Sequence, residues 1–191
     1  MTGLRVAFEG IRRALDSAQA RFAIGGSWAS TAYGEPRQTN DLDIVAAFTA
    51  AQLDVFLAAL GGEYYYDRQD AQDPLELGRS FNVIDQRSSF KFDFFPAKDE
   101  HALVQIERNK PVRVTALSDE PTPLVSAEDI VIAKLRWYRA GGEVSDRQWR
   151  DILGVFRTEG DRLDYAYLLA WAVRLGVADL YQRALDQAGD P

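Results

Sequence analysis

The sequence contains no cysteine. Disulfides, thiolate zinc sites, iron–sulfur clusters and cysteine nucleophiles are therefore excluded, a reducing compartment is permitted, and a cytoplasmic location is expected. Histidine occurs once, so a Ser-His-Asp triad or a histidine-rich metal centre would have to be assembled around His101 alone. That residue lies in KDEHALVQIER, which reads as a charged surface helix with a solvated imidazole. Basic residues are outnumbered, 22 Lys and Arg against 29 Asp and Glu, for a net charge of -7. A nonspecific nucleic-acid coat is disfavoured, because phosphate backbones are repelled by an acidic surface. No continuous apolar run has the length of a signal peptide or a membrane span, and no membrane association is expected. Internal repeats and low-complexity tracts are also lacking.

What is present is enough apolar content, 47% of 191 residues, to bury one real core with a small second module appended. The N-terminal MTGLRVAFEGIRRALDSAQA has the periodicity of an amphipathic helix. Phe22-Ala23-Ile24 reads as a short strand running into the turn Gly25-Gly26-Ser27 and the helix-compatible WASTAYG. After Pro36 and RQTN, Asp41 to Phe48 reads as a strand, and residues 50–60 as a helix stopped by Gly61-Gly62. EYYYD, SFNVID and SSFKFDFFPA, rich in aromatic and β-branched residues, predict strands with a hairpin near Gln86 to Ser89, so the sheet is mixed. A charged helix over about 99–108 and a short strand at PVRVT follow, and then a connection punctuated by Pro121 and Pro123.

That connection is taken as the boundary between an α/β core (1–120) and a C-terminal helical module (121–191). In the module, Ser126 with Glu128 and Asp129 is an N-cap with an acidic first turn ahead of IVIAKLRWYRA, and Gly141-Gly142 is the stop. SDRQWRDILGVF and LDYAYLLAWAVRLGVADLYQRAL read as two more helices. Tyr64, Tyr65, Tyr66 and Trp137 are expected in the core or at a sheet edge rather than stacked on a base.

The chemistry concentrates on three aspartates. Asp41 and Asp43, two apart on one strand, leave the same face with Cα atoms roughly 6–7 Å apart, while Leu42 and Ile44 anchor the opposite face. In FKFDFF, Phe90, Phe92 and Phe94 alternate with Lys91, Asp93 and Phe95, and a third carboxylate is offered from a second strand. Three converging carboxylates repel unless a cation neutralises them, and oxygen donors select hard ions such as magnesium or manganese. Two such ions about 4 Å apart can align a triphosphate with an attacking hydroxyl. Gly25, Gly26 and Ser27 supply a backbone turn that phosphate oxygens can approach closely, followed by the positive end of a helix. Ser27 could cap that helix or donate its hydroxyl to a phosphate, and Arg37 could reach a phosphate or pair with the acidic cluster. Singly, each element has a plain structural reading: a turn, solvated acids at a strand edge, a Lys91–Asp93 surface pair. Their joint occurrence in this order favours the metal and nucleotide site.

GGSWASTAYGEPRQTNDLDIV, with FKFDFF downstream, resembles the signature of the nucleotidyltransferase superfamily that includes DNA polymerase beta. The resemblance implies an α+β fold, a nucleotidyltransferase-like mixed sheet flanked by helices. It implies an NTP substrate bound at Gly26 and Ser27, two magnesium ions (manganese as a substitute) on Asp41, Asp43 and Asp93, and Asp93 helping to deprotonate the acceptor hydroxyl. Arg37, Thr39, Asp41 and Asp43 match the Arg-x-Thr-x-Asp-hydrophobic-Asp pattern of the AbiEii-type branch of nucleotidyltransferase toxins, and SAEDIVIAKLRWYRAGGEVSDRQWRDI is similar to its helical segment. By that resemblance Lys134 reaches over the nucleotide phosphates, Asp151 orients a basic neighbour, and an antitoxin partner is implied. The acceptor stays open among an RNA end, a protein side chain and a small molecule such as an aminoglycoside or lincosamide. A non-catalytic nucleotide-binding module and a magnesium-dependent phosphohydrolase are the other readings.

Overall fold

The computed structural model describes residues 3–67, 71 and 79–189. Packing divides the chain into two compact units, Met1–Gly25 with Thr39–Val125 and Gly26–Gln38 with Ser126–Pro191. The division drawn from the sequence follows chain order, whereas these units interleave.

The first unit holds helix α1 (Gly3–Ser17), strands β1 (Arg21–Ile24) and β2 (Asp41–Ala47), helix α3 (Ala50–Ala59), strands β3 (Tyr64–Tyr65), β4 (Phe81–Asp85) and β5 (Phe90–Pro96), helix α4 (Glu100–Glu107), and strands β6 (Lys110–Val112) and β7 (Thr122–Leu124); α2 (Gly26–Tyr33) belongs to the second unit. The first two residues of the helix expected at the N-terminus lie outside the described residues. The strands form one mixed sheet in the order β3-β4-β5-β2-β1-β7-β6. In it β2 runs parallel to β5 and β1 parallel to β7, and the other neighbours are antiparallel.

The alternation seen in DLDIVAA and FKFDFF becomes the two faces of the sheet. Leu42, Ile44, Ala46, Phe81, Val83, Phe92 and Phe94 are buried. Phe94 lies 5.0 Å from both Phe56 of α3 and Phe81 of β4, ring to ring. An aromatic side chain buried in this way contributes roughly 1.5–3 kcal/mol, so this layer holds β2 and β5 in fixed register. Thr49 and Gln52 close a reciprocal capping box at the start of α3, which fixes where β2 ends and the helix begins.

Several expectations are corrected here. The proline-punctuated connection is a strand: β7 pairs with β6, Pro123 facing Pro111, and the Val125 amide donates to the Ile24 carbonyl at 2.9 Å. His101 is not solvated but 1% exposed. It lies on the face of α4 that buries Gln105 and Ile106, with the Gln105 amide 3.1 Å from its Nδ1. Tyr64, by contrast, is where it was expected, buried in edge strand β3, its hydroxyl donating to the Ala7 carbonyl at 2.7 Å. Trp137, expected in a core or at a sheet edge, is instead 56% exposed.

The second unit is helical: α2, α5 (Ala127–Ala140), α6 (Asp146–Glu159), a short 3-10 turn (Gly160–Arg162), α7 (Tyr165–Arg174) and α8 (Ala178–Ala188). Ser126 caps α5, accepting from the Asp129 amide. The stretch read as one helix from Leu163 to Leu185 is two, because Gly176 takes φ +68°, a left-handed conformation that ends a helix and suits glycine. Among the described residues no helix is long and apolar enough to cross a membrane.

Candidate active site

The parallel register of β2 and β5 sets Asp43 directly beside Asp93 and Asp41 beside Lys91. Paired residues on neighbouring strands share a face and lie about 4.8 Å apart, and residues two apart on one strand share it too. Asp41, Asp43, Lys91 and Asp93 therefore occupy one face of the sheet, opposite the phenylalanine layer. Asp93 is 9% exposed; one of its oxygens takes the Lys91 ammonium at 2.6 Å, and the other, Oδ1, is buried with no hydrogen-bond partner. Asp41 is held by Thr39, whose hydroxyl donates to Oδ1 at 2.7 Å.

Part of the counter-charge that the sequence reading assigned to cations is supplied by Lys91. Its ammonium is held above its ordinary pKa by the hydrogen bond to Asp93, with the charges of Asp93, Asp41 and Asp43 adding against the effect of burial. Among the described residues no three His, Cys, Asp or Glu side chains stand ready-made to hold a metal ion; Asp93 is engaged with Lys91 instead. The donors nevertheless suit a hard cation: all are carboxylate oxygens, and the buried Oδ1 of Asp93 lacks a partner, which is costly for a charged acceptor.

At the turn out of β1, the Gly25 amide donates to the Asp43 carbonyl at 2.9 Å. That N–H is committed to the sheet. A side chain at Gly25 would meet only ordinary contacts, the nearest at 3.8 Å from Val45. Gly26 is the position that needs glycine, with φ +52°.

In the second unit, α2 opens at Gly26, so Ser27 lies inside its first turn rather than at the cap. The Ser27 hydroxyl accepts a hydrogen bond from Arg37 Nη2. Arg37 pairs with Asp151, Nε to Oδ1 at 3.0 Å and Nη2 to Oδ2 at 3.1 Å. Lys134 Nζ reaches Asp151 Oδ2 at 2.8 Å, and the Lys134 and Asp151 side chains are 9% and 8% exposed. Burial acts to raise the Asp151 pKa, but the Arg37 hydrogen bond and the Lys134 charge outweigh it and hold the carboxyl below its ordinary value. Asp151 thus holds two cationic side chains, one of which, Arg37, also reaches Ser27 in the first turn of α2.

The structure thus brings Asp41, Asp43 and Asp93 together on one face, and separately brings Ser27, Arg37 and Lys134 together through Asp151. In the sequence Thr39 stands out only as part of a pattern and Lys91 only as a surface partner of Asp93. The i, i+2 spacing of Lys91 and Asp93 on a strand was the available signal for the second. No local signal joins Arg37 to Asp151, which are 114 residues apart.

No protein-family model matches the sequence, and a search of curated proteins returns no match. Solved structures do match. The antibiotic-resistance factor ANT(2'')-Ia in complex with adenylyl-2''-tobramycin is 16% identical with a TM-score of 0.59, covering 91% of this chain and 99% of that one. The solution structure of ANT(2'')-Ia is 14% identical with a TM-score of 0.53, covering 96% and 99%. An antigenic nucleotidyltransferase-like protein from Paracoccidioides brasiliensis is 15% identical with a TM-score of 0.56, covering 97% and 91%. At these identities the likeness is one of fold. The fold is nucleotidyltransferase-like: a mixed sheet with helices, as the sequence predicted.

Proposed function

We propose that the protein is a magnesium-dependent nucleotidyltransferase that moves a nucleoside monophosphate from an NTP to a hydroxyl and releases pyrophosphate. The observation that carries this reading is the β2–β5 register, which sets Asp43 opposite Asp93 with Asp41 on the same face, on a fold shared with nucleotidyltransferases. Asp41, Asp43 and Asp93 would hold the magnesium ions. When bound, these supply positive charge to offset what builds on the phosphates.

The acceptor oxygen forms a bond to the α-phosphorus as the bond to the β-phosphate's bridging oxygen breaks, and the pyrophosphate departs with that electron pair. Asp93 takes the hydroxyl proton. Thr39 keeps Asp41 in one rotamer. The amides of Gly26 and Ser27 bind phosphate oxygens, and Arg37 and Lys134, oriented by Asp151, supply the positive charge a triphosphate needs.

The acceptor is a hydroxyl on a small molecule, a protein or an RNA end, and the net charge of -7 disfavours long polyanions. The Arg37-x-Thr39-x-Asp41-x-Asp43 pattern extends the proposal to a growth-arresting toxin restrained by an antitoxin. Purified protein incubated with each α-labelled NTP, magnesium and a panel of acceptors should transfer label and release pyrophosphate, and Asp41→Ala with Asp43→Ala should abolish both. Release of free phosphate alone would point to a hydrolase. Absence of labelling together with absence of NTP binding by calorimetry would sink the proposal. If the toxin extension holds, expression of the native chain slows bacterial growth and the double variant does not.

A further inference from the structure

The sheet's register places Lys91 among the three aspartates of this face, beside Asp41 and two residues from Asp93. Its ammonium is on Asp93 at 2.6 Å, its side chain is 40% exposed, and the Asp93 side chain is 12% exposed. A lysine half in water on a flexible four-carbon stem can leave its partner at small cost, whereas Asp93 is fixed on a central strand and cannot follow it out. The pair is also incomplete, since Asp93 Oδ1 has no donor. The Lys91 ammonium thus lies directly on one of the three carboxylates of this face.

We propose that Lys91 is a resident counter-ion: it occupies Asp93 in the metal-free protein and is displaced by the divalent cation that the three aspartates bind, so that it sets the threshold concentration for loading. This rests on the metal-binding part of the proposed function. A divalent ion brings twice the charge of the ammonium and can accept several oxygens at once, which drives the exchange. Conversely, holding the site closed with Lys91 keeps the carboxylates from repelling one another while no cation is present. Lys91 acts through Asp93 and is therefore a positioning residue.

The test is Mn2+ binding to the full chain by calorimetry at low ionic strength, without nucleotide, in the native protein, Lys91→Met and Lys91→Arg. Removing a competing unit charge about 5 Å away should tighten Mn2+ binding in Lys91→Met by about tenfold, while Lys91→Arg, which keeps the charge, should stay within about twofold. The melting temperature supplies a second readout: metal-free Lys91→Met should melt below the native protein, and saturating Mn2+ should raise it by more than it raises the native protein. Equal or weaker Mn2+ binding by Lys91→Met overturns the proposal. If the native protein meanwhile binds Mn2+ in a manner lost in Asp41→Ala with Asp43→Ala, the proposed function survives without the role of Lys91. If no variant binds Mn2+, both fall.

Discussion

Replacing Asp151 with alanine would leave two cations facing each other around an empty space. The Lys134 side chain is 9% exposed and that of Arg37 21%, so neither can fully recover the hydration that Asp151 now replaces. Breaking a buried ion pair from one side typically costs about 3–5 kcal/mol, because the remaining charge stays buried. Arg37 is the more accessible of the two and regains some water, which places the expected loss near the lower end, about 3 kcal/mol. In a chain of this size 1 kcal/mol corresponds to roughly 2–4 °C in melting temperature, so a drop of about 6–12 °C is expected.

Urea unfolding followed by both tryptophan fluorescence and circular dichroism would measure it. A second substitution separates electrostatics from lost packing: adding Lys134→Met to Asp151→Ala removes the stranded ammonium and should recover a substantial part of the loss, a coupling of about 1–3 kcal/mol. Were Asp151→Ala to cost under about 1 kcal/mol, or were the two substitutions simply additive, the picture of a buried carboxylate holding two cations would be refuted.

Acid should weaken the fold through the same group. Asp151 and Asp85 both hold their carboxyls below the ordinary value: burial opposes this, but Arg37 and Lys134 outweigh it at the first, and Ser88 and Arg87 at the second. A depressed folded-state pKa gives stability that is fully present above the unfolded value of about 3.9 and is lost as pH falls through the folded value. Melting temperature should therefore hold steady down to about pH 5 and fall below about pH 4, with a shallower fall in Asp151→Asn; an identical slope in that variant would remove Asp151 from the explanation. Gly34→Ala should destabilise by about 1–3 kcal/mol through overpacking, since its Cβ would lie 2.9 Å from the Ser30 carbonyl oxygen and 3.0 Å from backbone atoms of Gly154 and Val155. Gly62→Ala, with nothing within 4 Å of the new Cβ, is the control, and an equal shift in urea midpoint for the two would contradict the packing argument.

Much of the fold could be read locally, because the signals involved act over a few residues. Alternation in DLDIVAA and FKFDFF marked strands and their faces, Ser126 marked a helix start that the structure caps as expected, and the helix expected from about Asp99 begins there, with Asp99 as its cap. The break at Gly176 is equally local, but the strong apolar run on either side of that glycine masks it. Strand β7 was hidden for a different reason. Proline argues against a strand because it offers no N–H to the ladder, and that rule was overridden by pairing with β6, the preceding strand, and with β1, far back in the sequence. The burial of His101 is not legible locally, because a charged neighbourhood in sequence says little about one face of a helix. Paired with Gln105 one turn on, the imidazole satisfies part of its polarity inside the unit.

At the candidate site the same line separates what one dimension carries from what three are needed for. Residue types and two-residue spacing were enough to name Asp41, Asp43 and Asp93 as acids on shared strand faces, since a strand's side chains alternate whatever surrounds it. Only the parallel register of β2 and β5 decided that Asp43 faces Asp93 and that Asp41 lies beside Lys91. Only the packing of the helices joined Arg37 and Lys134 through Asp151. Register and helix packing are set by burial of the phenylalanine layer and of helix faces contributed from far along the chain, and no window of neighbouring residues contains that information.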